Sequence, residues 1–328
     1  MPISLILVCS LGCRSSGPEV VVYTSVDQVF SDPVLRAFET ESGVHVRAVF
    51  DTEETKSTGV VNRLIAESAS PQADVFWSGD PVRPFLLIKR DLVEPYVSPA
   101  ASSIPGGFKD GGGLWTGLGG RARVLLVSNT RLEGRAAPRS IRDLASPAWR
   151  GEGAIANPLF GTTTMHVGSL AATWGEEETK RFLDALRPNG VRVASSNGEV
   201  KRLVVSGQVT FGLTDSDDAH EAVESGADVS VVHPDQEAEG TLFMPTSVVL
   251  LRGAPHPEQA RRLIDFLSSP EAERRLIGSG SHLPLRPSAT PAADGSASGG
   301  VRYMTVDYGR ASEMMESLQP WLRQWAGL

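Results

Sequence analysis

Three carboxylates fall within four residues at Asp215, Asp217 and Asp218, inside the stretch Gly207–Val223. They follow Val209–Leu213, a compact apolar run of strand length, and precede a helical pattern carrying Ala219, Ala222 and Val223. Acidic loops at the carboxyl ends of buried strands are where open α/β sheets hold ligands. Other polar loops follow other strand-like runs and offer Asp27, Glu53, Glu54, Asp80, Thr162, Thr163 and Asn197. Carboxylates converging from several loops suit a hard cation or an ammonium group. Each taken singly has a simpler use. Asp80 before Pro81 fits a turn, and Asp218-Ala-His-Glu221 fits a capping box. Capping accounts for one of the three clustered carboxylates and not for all, because neighbouring like charges repel.

Gly161-Thr-Thr-Thr164 ahead of a helical pattern is a candidate anion cradle, or ordinary threonine capping. No G-K-[ST] follows, so it is not a P-loop. Arg121 and Arg123 alternate onto one face of a long extended run. One is expected to meet an anion in the cleft and the other to be solvated. Catalytic signatures are scarce. There is no G-x-S-x-G elbow and no H-x-x-x-H pair, and both cysteines, Cys9 and Cys13, lie in the first thirteen residues. A carboxylate pair for glycoside hydrolysis depends on spatial separation and stays open. The chemistry points to binding rather than turnover.

These residues need a scaffold of more than one unit. The 328 residues suggest two domains at about 100–200 residues each. A net charge of −8 argues against a nucleic-acid partner. Ile3–Leu11 is apolar but too short to span a bilayer, and with Gly12-Cys13 and a polar Arg-Ser-Ser tether it resembles a bacterial lipoprotein signal. It departs from that pattern in having Ser10 where leucine is usual and no Lys or Arg before the apolar run. Beyond it the chain reads strand 20–23, then a helix capped at Ser31 or Asp32 with Pro33 first and Gly43 at its end. A strand at 44–50, a helix around 60–65, a strand at 74–77 and a helix around 86–92 follow. This alternation is that of βαβ units on a mostly parallel sheet. Leu118–Ser128 and Phe243–Leu251 are long extended runs that interrupt two such blocks. Residues 289–300 read as a linker, and Ala311–Trp325 as a helical tail bent or broken at Pro320.

Several stretches, in this order and spacing, carry a family resemblance: Val22-Tyr-Thr-Ser25, Phe38-Glu-Thr-Glu-Ser-Gly43, Ala73-Asp-Val-Phe-Trp-Ser78 and Gly120-Arg-Ala-Arg123. Asn197-Gly-Glu-Val200, Ser206-Gly-Gln-Val-Thr-Phe-Gly-Leu213 and His282-Leu-Pro-Leu-Arg-Pro287 complete the set. From about Val20 to Pro287 the chain resembles the bacterial extracellular solute-binding proteins of ABC importers, within them the ferric-ion-binding group. The resemblance implies an α/β, two-lobed periplasmic-binding-protein fold of type II, each lobe a mostly parallel sheet flanked by helices, joined by two crossing strands. On that reading residues 1–19 are signal and tether, 20–120 plus 248–288 lobe 1, 121–247 lobe 2, and 301–328 a C-terminal helical segment. Ferric-binding relatives usually place two consecutive tyrosines where Asp217 and Asp218 stand here. A histidine of their first loop is replaced by Asp27. A carboxylate expected in the Trp77–Asp80 turn falls at Gly79, with Asp80 next to it. Tyrosine-based iron chemistry is therefore not carried over.

The expected protein is an exported, monomeric, non-enzymatic receptor, a periplasmic or extracytoplasmic lipoprotein partnered by an ABC permease. Its lobes close on ferric iron or another hard cation or its complex, carried as cargo and not as a cofactor. A cationic organic solute such as a polyamine is the alternative, and a hydrolase with paired carboxylates a remote one. The expected ligand set is Asp27, Asp80, Arg121, Thr162, Thr163, Asn197, Asp215, Asp217 and Asp218, with Asp27, Asp80, Asp217 and Asp218 on the metal. Cys13 is the expected lipidation site, and several acyl chains on it would anchor firmly. Cys13→Ser is accordingly expected to move the protein from the membrane to the soluble fraction of cells, read by fractionation; an unchanged membrane-bound share would refute lipidation there.

Overall fold

The computed structural model describes residues 17–51, 58–278, 280, 282–286 and 300–327. Cys13, Glu53, Glu54 and linker residues 289–299 lie outside them. Among the described residues, no helix is long and apolar enough to cross a membrane. In chain order the elements are β1 (Glu19–Thr24), α1 (Gln28–Ser42), β2 (His45–Phe50), α2 (Thr58–Ala66), β3 (Val75–Ser78), α3 (Arg83–Ile88) and β4 (Val93–Glu94). Then come β5 (Thr116–Ser128), α4 (Asn129–Leu132), β6 (Gly153–Ala156), α5 (Gly161–Trp174), α6 (Glu176–Leu186), β7 (Arg192–Ala194) and α7 (Asn197–Val205). Last are β8 (Phe211–Asp215), α8 (Ser216–Glu224), β9 (Val229–Val232), β10 (Phe243–Leu251), α9 (Pro257–Leu267), α10 (Pro270–Ile277) and α11 (Tyr308–Ala326).

The strands lie in the order β2-β1-β3-β10-β5-β8-β6-β7, with β4 on β10 and β9 on β5. β5 joins two halves. Its first part, to Ala122, pairs with β10, and from Arg123 onward it pairs with β8. The outer pairs β1/β2, β1/β3, β6/β7 and β6/β8 are parallel, as the βαβ pattern predicts. Every pairing made by β5 or β10 is antiparallel, so each half is mixed and not mostly parallel. The reason is connectivity: these two strands enter from the other half instead of from a crossover helix. Among the described residues β10 pairs with β3, β4 and the first part of β5, beginning at its first residue, Phe243. Apolar faces on both sides of the sheet are buried, Val20, Val22 and Trp77 against α1 and α9 residues such as Phe38 and Leu263, and Leu126, Ala154 and Val204 in the second half.

Three local expectations are corrected. α1 begins at Gln28 with Asp27 as N-cap, one turn before Ser31, and Pro33 sits inside it. Pro33 removes a single helical N–H near the start, while the Ser31 hydroxyl bonds the carbonyls of Val26 and Asp27. Strand β8 runs to Asp215, two residues further than the apolar run, because Asp215 is the cross-strand partner of Arg123. Consequently α8 starts at Ser216, and Asp218 lies within its first turn instead of capping it. Finally α11 passes through Pro320 unbroken. Its buried Leu318, Leu322 and Trp325 hold it against the body, and that packing outweighs the lost hydrogen bond.

α11 packs along α5, and also meets α3 of the first half, so it touches both halves. The close point is Gly168 of α5: a Cβ there would lie 2.8 Å from the Ala311 carbonyl oxygen and 2.5 Å from Met315 Cγ. Near the junction the Tyr308 hydroxyl donates to the Phe243 carbonyl at 3.0 Å, and its ring meets Trp115 edge-on. Gly168→Ala gains helix propensity but drives a methyl into the backbone of α11. We expect a net loss of about 1–2 kcal/mol, seen as a lower urea midpoint with unchanged slope; a raised midpoint would mean that α11 does not dock through Gly168.

Candidate functional site

A cleft of about 920 Å³ opens between the two halves. From the first half it is walled by the loop after β1, with Ser25 and Asp27, and the loop after β3, with Gly79 and Asp80. From the second half come Thr162 at the start of α5, Asn197 at the start of α7, and Asp215 at the end of β8. Arg121 of β5 lines its floor.

Beneath that floor is a buried polar network. Arg123 is fully buried, and its Nη1 donates to Asp215 Oδ1 at 2.6 Å, to Asn197 Oδ1 at 3.0 Å and to Thr162 Oγ1 at 3.2 Å. Its Nη2 donates to Thr163 Oγ1 at 3.3 Å. The second oxygen of Asp215 accepts from Thr162 Oγ1 at 2.8 Å and from Asn197 Nδ2 at 3.2 Å. The starts of α5 and α7 are thus tied to β5 and β8. Both arginines of the extended run face this side, as alternation requires, and neither is the solvated strand residue expected: Arg123 is internal, while Arg121 is partly exposed in the cleft.

Thr162 and Thr163 use their hydroxyls within the network, not as caps. The N-cap residue of α5, Phe160, makes no side-chain bond to the helix, so its first N–H groups, at a helix start whose Gly161 and Thr162 line the cleft, have no capping side chain. Thr164 N–H closes on the Phe160 carbonyl and is not part of that cradle.

The four carboxylates expected on a metal are not brought together. Asp27 and Asp80 line the cleft; Asp217 and Asp218 do not. Asp217 Oδ2 accepts from Arg121 Nη1 at 3.3 Å. Asp218 accepts from the Thr214 hydroxyl at 3.2 Å and lies 3.5 Å from Lys201 Nζ. Burial raises the pKa of both carboxyls, Asp215 adds repulsion, and Arg121 or Lys201 opposes. Asp80 Oδ1 accepts from the N–H groups of Val82 and Arg83 at 2.9 Å each, which is capping work for α3. Among the described residues no group of three or more His, Cys, Asp or Glu side chains is placed to hold a metal ion. Position 79, where the ferric-binding pattern would have a carboxylate, has no room for one: a Cβ there would lie 2.8 Å from the Ser25 carbonyl oxygen.

Arg121 is a cationic group on the cleft lining, beside the acidic Asp27, Asp80 and Asp215. Burial works to lower its pKa, but Asp217, Asp215 and Asp27 outweigh this and raise it, so it stays cationic. Three contributions escaped the sequence reading. His282, nine-tenths and more buried, lines the cleft beside Phe30. Arg83 lines it from the first turn of α3. Ser312, Met315, Glu316 and Gln319 of α11 line its far side. Their i, i+3, i+4, i+7 spacing was a visible signal of one helical face, but nothing in the sequence said what that face would meet.

Buried histidines give the site a pH signature. Burial first, then Arg123, holds His166 well below the ordinary value of 6.5. Burial and then Arg121 bring His282 to about 3, with Asp27 opposing. A folded-state pKa below the unfolded one contributes stability that is complete above the unfolded value and is lost as pH falls toward the folded one. Stability is therefore expected to fall between pH 7 and about pH 5 by up to about 1.4 kcal/mol per pH unit per histidine. At lower pH the raised Asp217 and Asp218 work the other way. Urea unfolding across this window, repeated with His166→Gln, should show a shallower slope in the variant; equal slopes would contradict the assignment.

Comparison with known proteins fits this arrangement. Iron uptake protein A1 of Synechocystis sp. is 27% identical over 282 residues, 81% of this chain and 76% of that one. A putative 2-aminoethylphosphonate-binding periplasmic protein of Salmonella typhi is 26% identical over 294 residues, 88% of this chain and 80% of that one. Ferric iron-binding protein A of Mannheimia haemolytica, in an open conformation, superposes with a TM-score of 0.81 at 22% identity, over 94% of this chain and 99% of that one. The architecture is thus the type II periplasmic-binding-protein fold. Residues 70–313 match the description of bacterial extracellular solute-binding proteins, and the chain belongs to that family.

Proposed function

We propose that this protein is the extracytoplasmic receptor of an ABC importer, tethered through Cys13 and delivering its solute to a membrane permease. We infer that its cargo carries an oxyanion, and that the leading cargo is ferric iron in complex with such an anion. The observation that carries this is the pairing of a cationic Arg121 with the uncapped start of α5 in one cleft. Cation and helix dipole both favour a carboxylate or phosphate oxygen there. A volume of about 920 Å³ is that of a small-molecule pocket, far larger than a lone ion needs. A chelate brings most of its own ligands, so Asp27 and His282 need supply only what the anion leaves open. The names of relatives such as iron uptake protein A1 support iron. The lobes would close on this cargo by moving about β5 and the entry to β10, and their preference for the closed state would come from contacts made from both halves.

A second reading rests on Asp27, which faces Arg121 across the cleft. That polarity suits a zwitterion with an oxyanion at one end and an ammonium at the other, such as the 2-aminoethylphosphonate named for one relative. A polyamine fits worse, because Arg121 would repel it.

Calorimetric titration of the full chain with ferric citrate, 2-aminoethylphosphonate and spermidine tests this. Ferric citrate should bind, Arg121→Gln should weaken it at least tenfold, and spermidine should not bind. No tyrosine lines the cleft, so bound iron should lack a phenolate charge-transfer band. Binding of the phosphonate alone would select the second reading; binding of spermidine alone, or equal binding by Arg121→Gln, would refute an oxyanion-bearing cargo.

A further inference from the structure

The cleft is also lined by Arg83 of α3 and Thr164 of α5, the two helices against which α11 packs. Thr164 is 4% exposed, and its hydroxyl has no hydrogen-bond partner. It lies one turn ahead of Gly168, on the face of α5 that packs against Ala311 and Met315 of α11. Among the described residues Arg83 Nε is likewise buried without a hydrogen bond, although it forms an ion pair with Asp80 Oδ2 at 3.5 Å. Asp80 is already engaged through its other oxygen with the start of α3. The glutamate of α11 that lines the cleft, Glu316, lies 3.4 Å from Lys89 Nζ, which offsets its charge. What Arg83 and Thr164 present is therefore a guanidinium and a hydroxyl, each with an unused donor. Buried polar groups without partners are uncommon because they destabilise the fold, and around a cleft they mark where a ligand completes the bonding.

We propose that Arg83 and Thr164 form a second oxyanion subsite, walled by α11, so that the solute carries two separated carboxylate-type groups. One is held by Arg121 and the start of α5, and the other is held here. This rests on the reading of Arg121 as an oxyanion site, and it names the solute class: a polycarboxylate, free or as the chelator of a metal, rather than a compound with one anionic group. α11 then helps select the solute by fixing the length between the two groups.

The test uses citrate, with several carboxylates, and inorganic phosphate, with one anionic centre, as probes in calorimetric titration of the full chain. Wild type should bind citrate more tightly than phosphate. Arg83→Gln and Thr164→Val should each lower the citrate-to-phosphate affinity ratio about tenfold, as loss of a charge-assisted hydrogen bond does, and Arg121→Gln should weaken both probes. Thr164→Val keeps the side-chain shape, so it gives a result even if Arg83→Gln fails to fold, which thermal melts will show. If both probes bind wild type and neither variant changes the ratio, the second subsite is refuted while the Arg121 reading stands. If wild type binds neither probe, the Arg121 reading fails and this proposal falls with it.

Discussion

The arrangement of the cleft depends on one buried ion pair, Arg123 with Asp215. The two residues are direct cross-strand neighbours on β5 and β8, with side chains on the same face. Two charges taken out of water are stable only when geometry and extra hydrogen bonds replace hydration, and removing one partner from such a pair typically costs about 3–5 kcal/mol. Here Thr162, Thr163 and Asn197 provide those bonds. The same bonds fix where α5 and α7 begin. The start of α5 is thus held at the cleft by an interaction whose arginine is internal and whose carboxylate lies at the cleft wall.

A second consequence is the fate of the acidic cluster. Extending β8 to Asp215 turns Asp217 and Asp218 onto the first turn of α8, where Arg121 and Lys201 engage them. Three carboxylates in four residues are tolerable because each has a cation or a hydrogen-bond donor of its own. Of the two positions that resemble the tyrosine pair of ferric-binding proteins, Asp217 holds Arg121 and Asp218 meets Lys201, so neither carboxylate lines the cleft, while the Arg121 guanidinium does.

The C-terminal helix makes the molecule more than two βαβ halves. It docks on α5 through Gly168, bonds the start of β10 through Tyr308, and reaches α3 through Lys89, which lies within ion-pair distance of both Glu313 and Glu316. The contacts with α5 are buried and apolar; those with α3 include exposed ion pairs, which contribute about 0–1 kcal/mol. The helix is thus fixed to the second half along α5 and to the first half at its start, through the buried Tyr308 and its contacts with Phe243 and Trp115.

By itself the sequence determined the alternation of strands and helices, the two long extended runs, and the loops that carry polar side chains. These follow from period-2 and period-3.6 patterning and from Gly and Pro punctuation, all local properties. It placed Thr162, Asn197, Asp215, Asp27 and Asp80 in loops that follow strands and Arg121 in a long extended run, and all six line the cleft. It also put Arg121 and Arg123 on one face, and alternation could go no further. Only the tertiary structure decided that Arg123 is internal, that Asp217 and Asp218 stay off the cleft lining, and that Arg83, His282 and one face of α11 join it. The physical reason is that a charged side chain has no intrinsic side of the protein to occupy. Its place is set by which opposite charge or hydrogen-bond partner the fold brings within a few ångströms, and those partners lie 92 residues away for Arg123 and 96 for Arg121. The strand end and the capping position were misplaced for the same cause, since the pair that extends β8 is a long-range contact that no local propensity encodes.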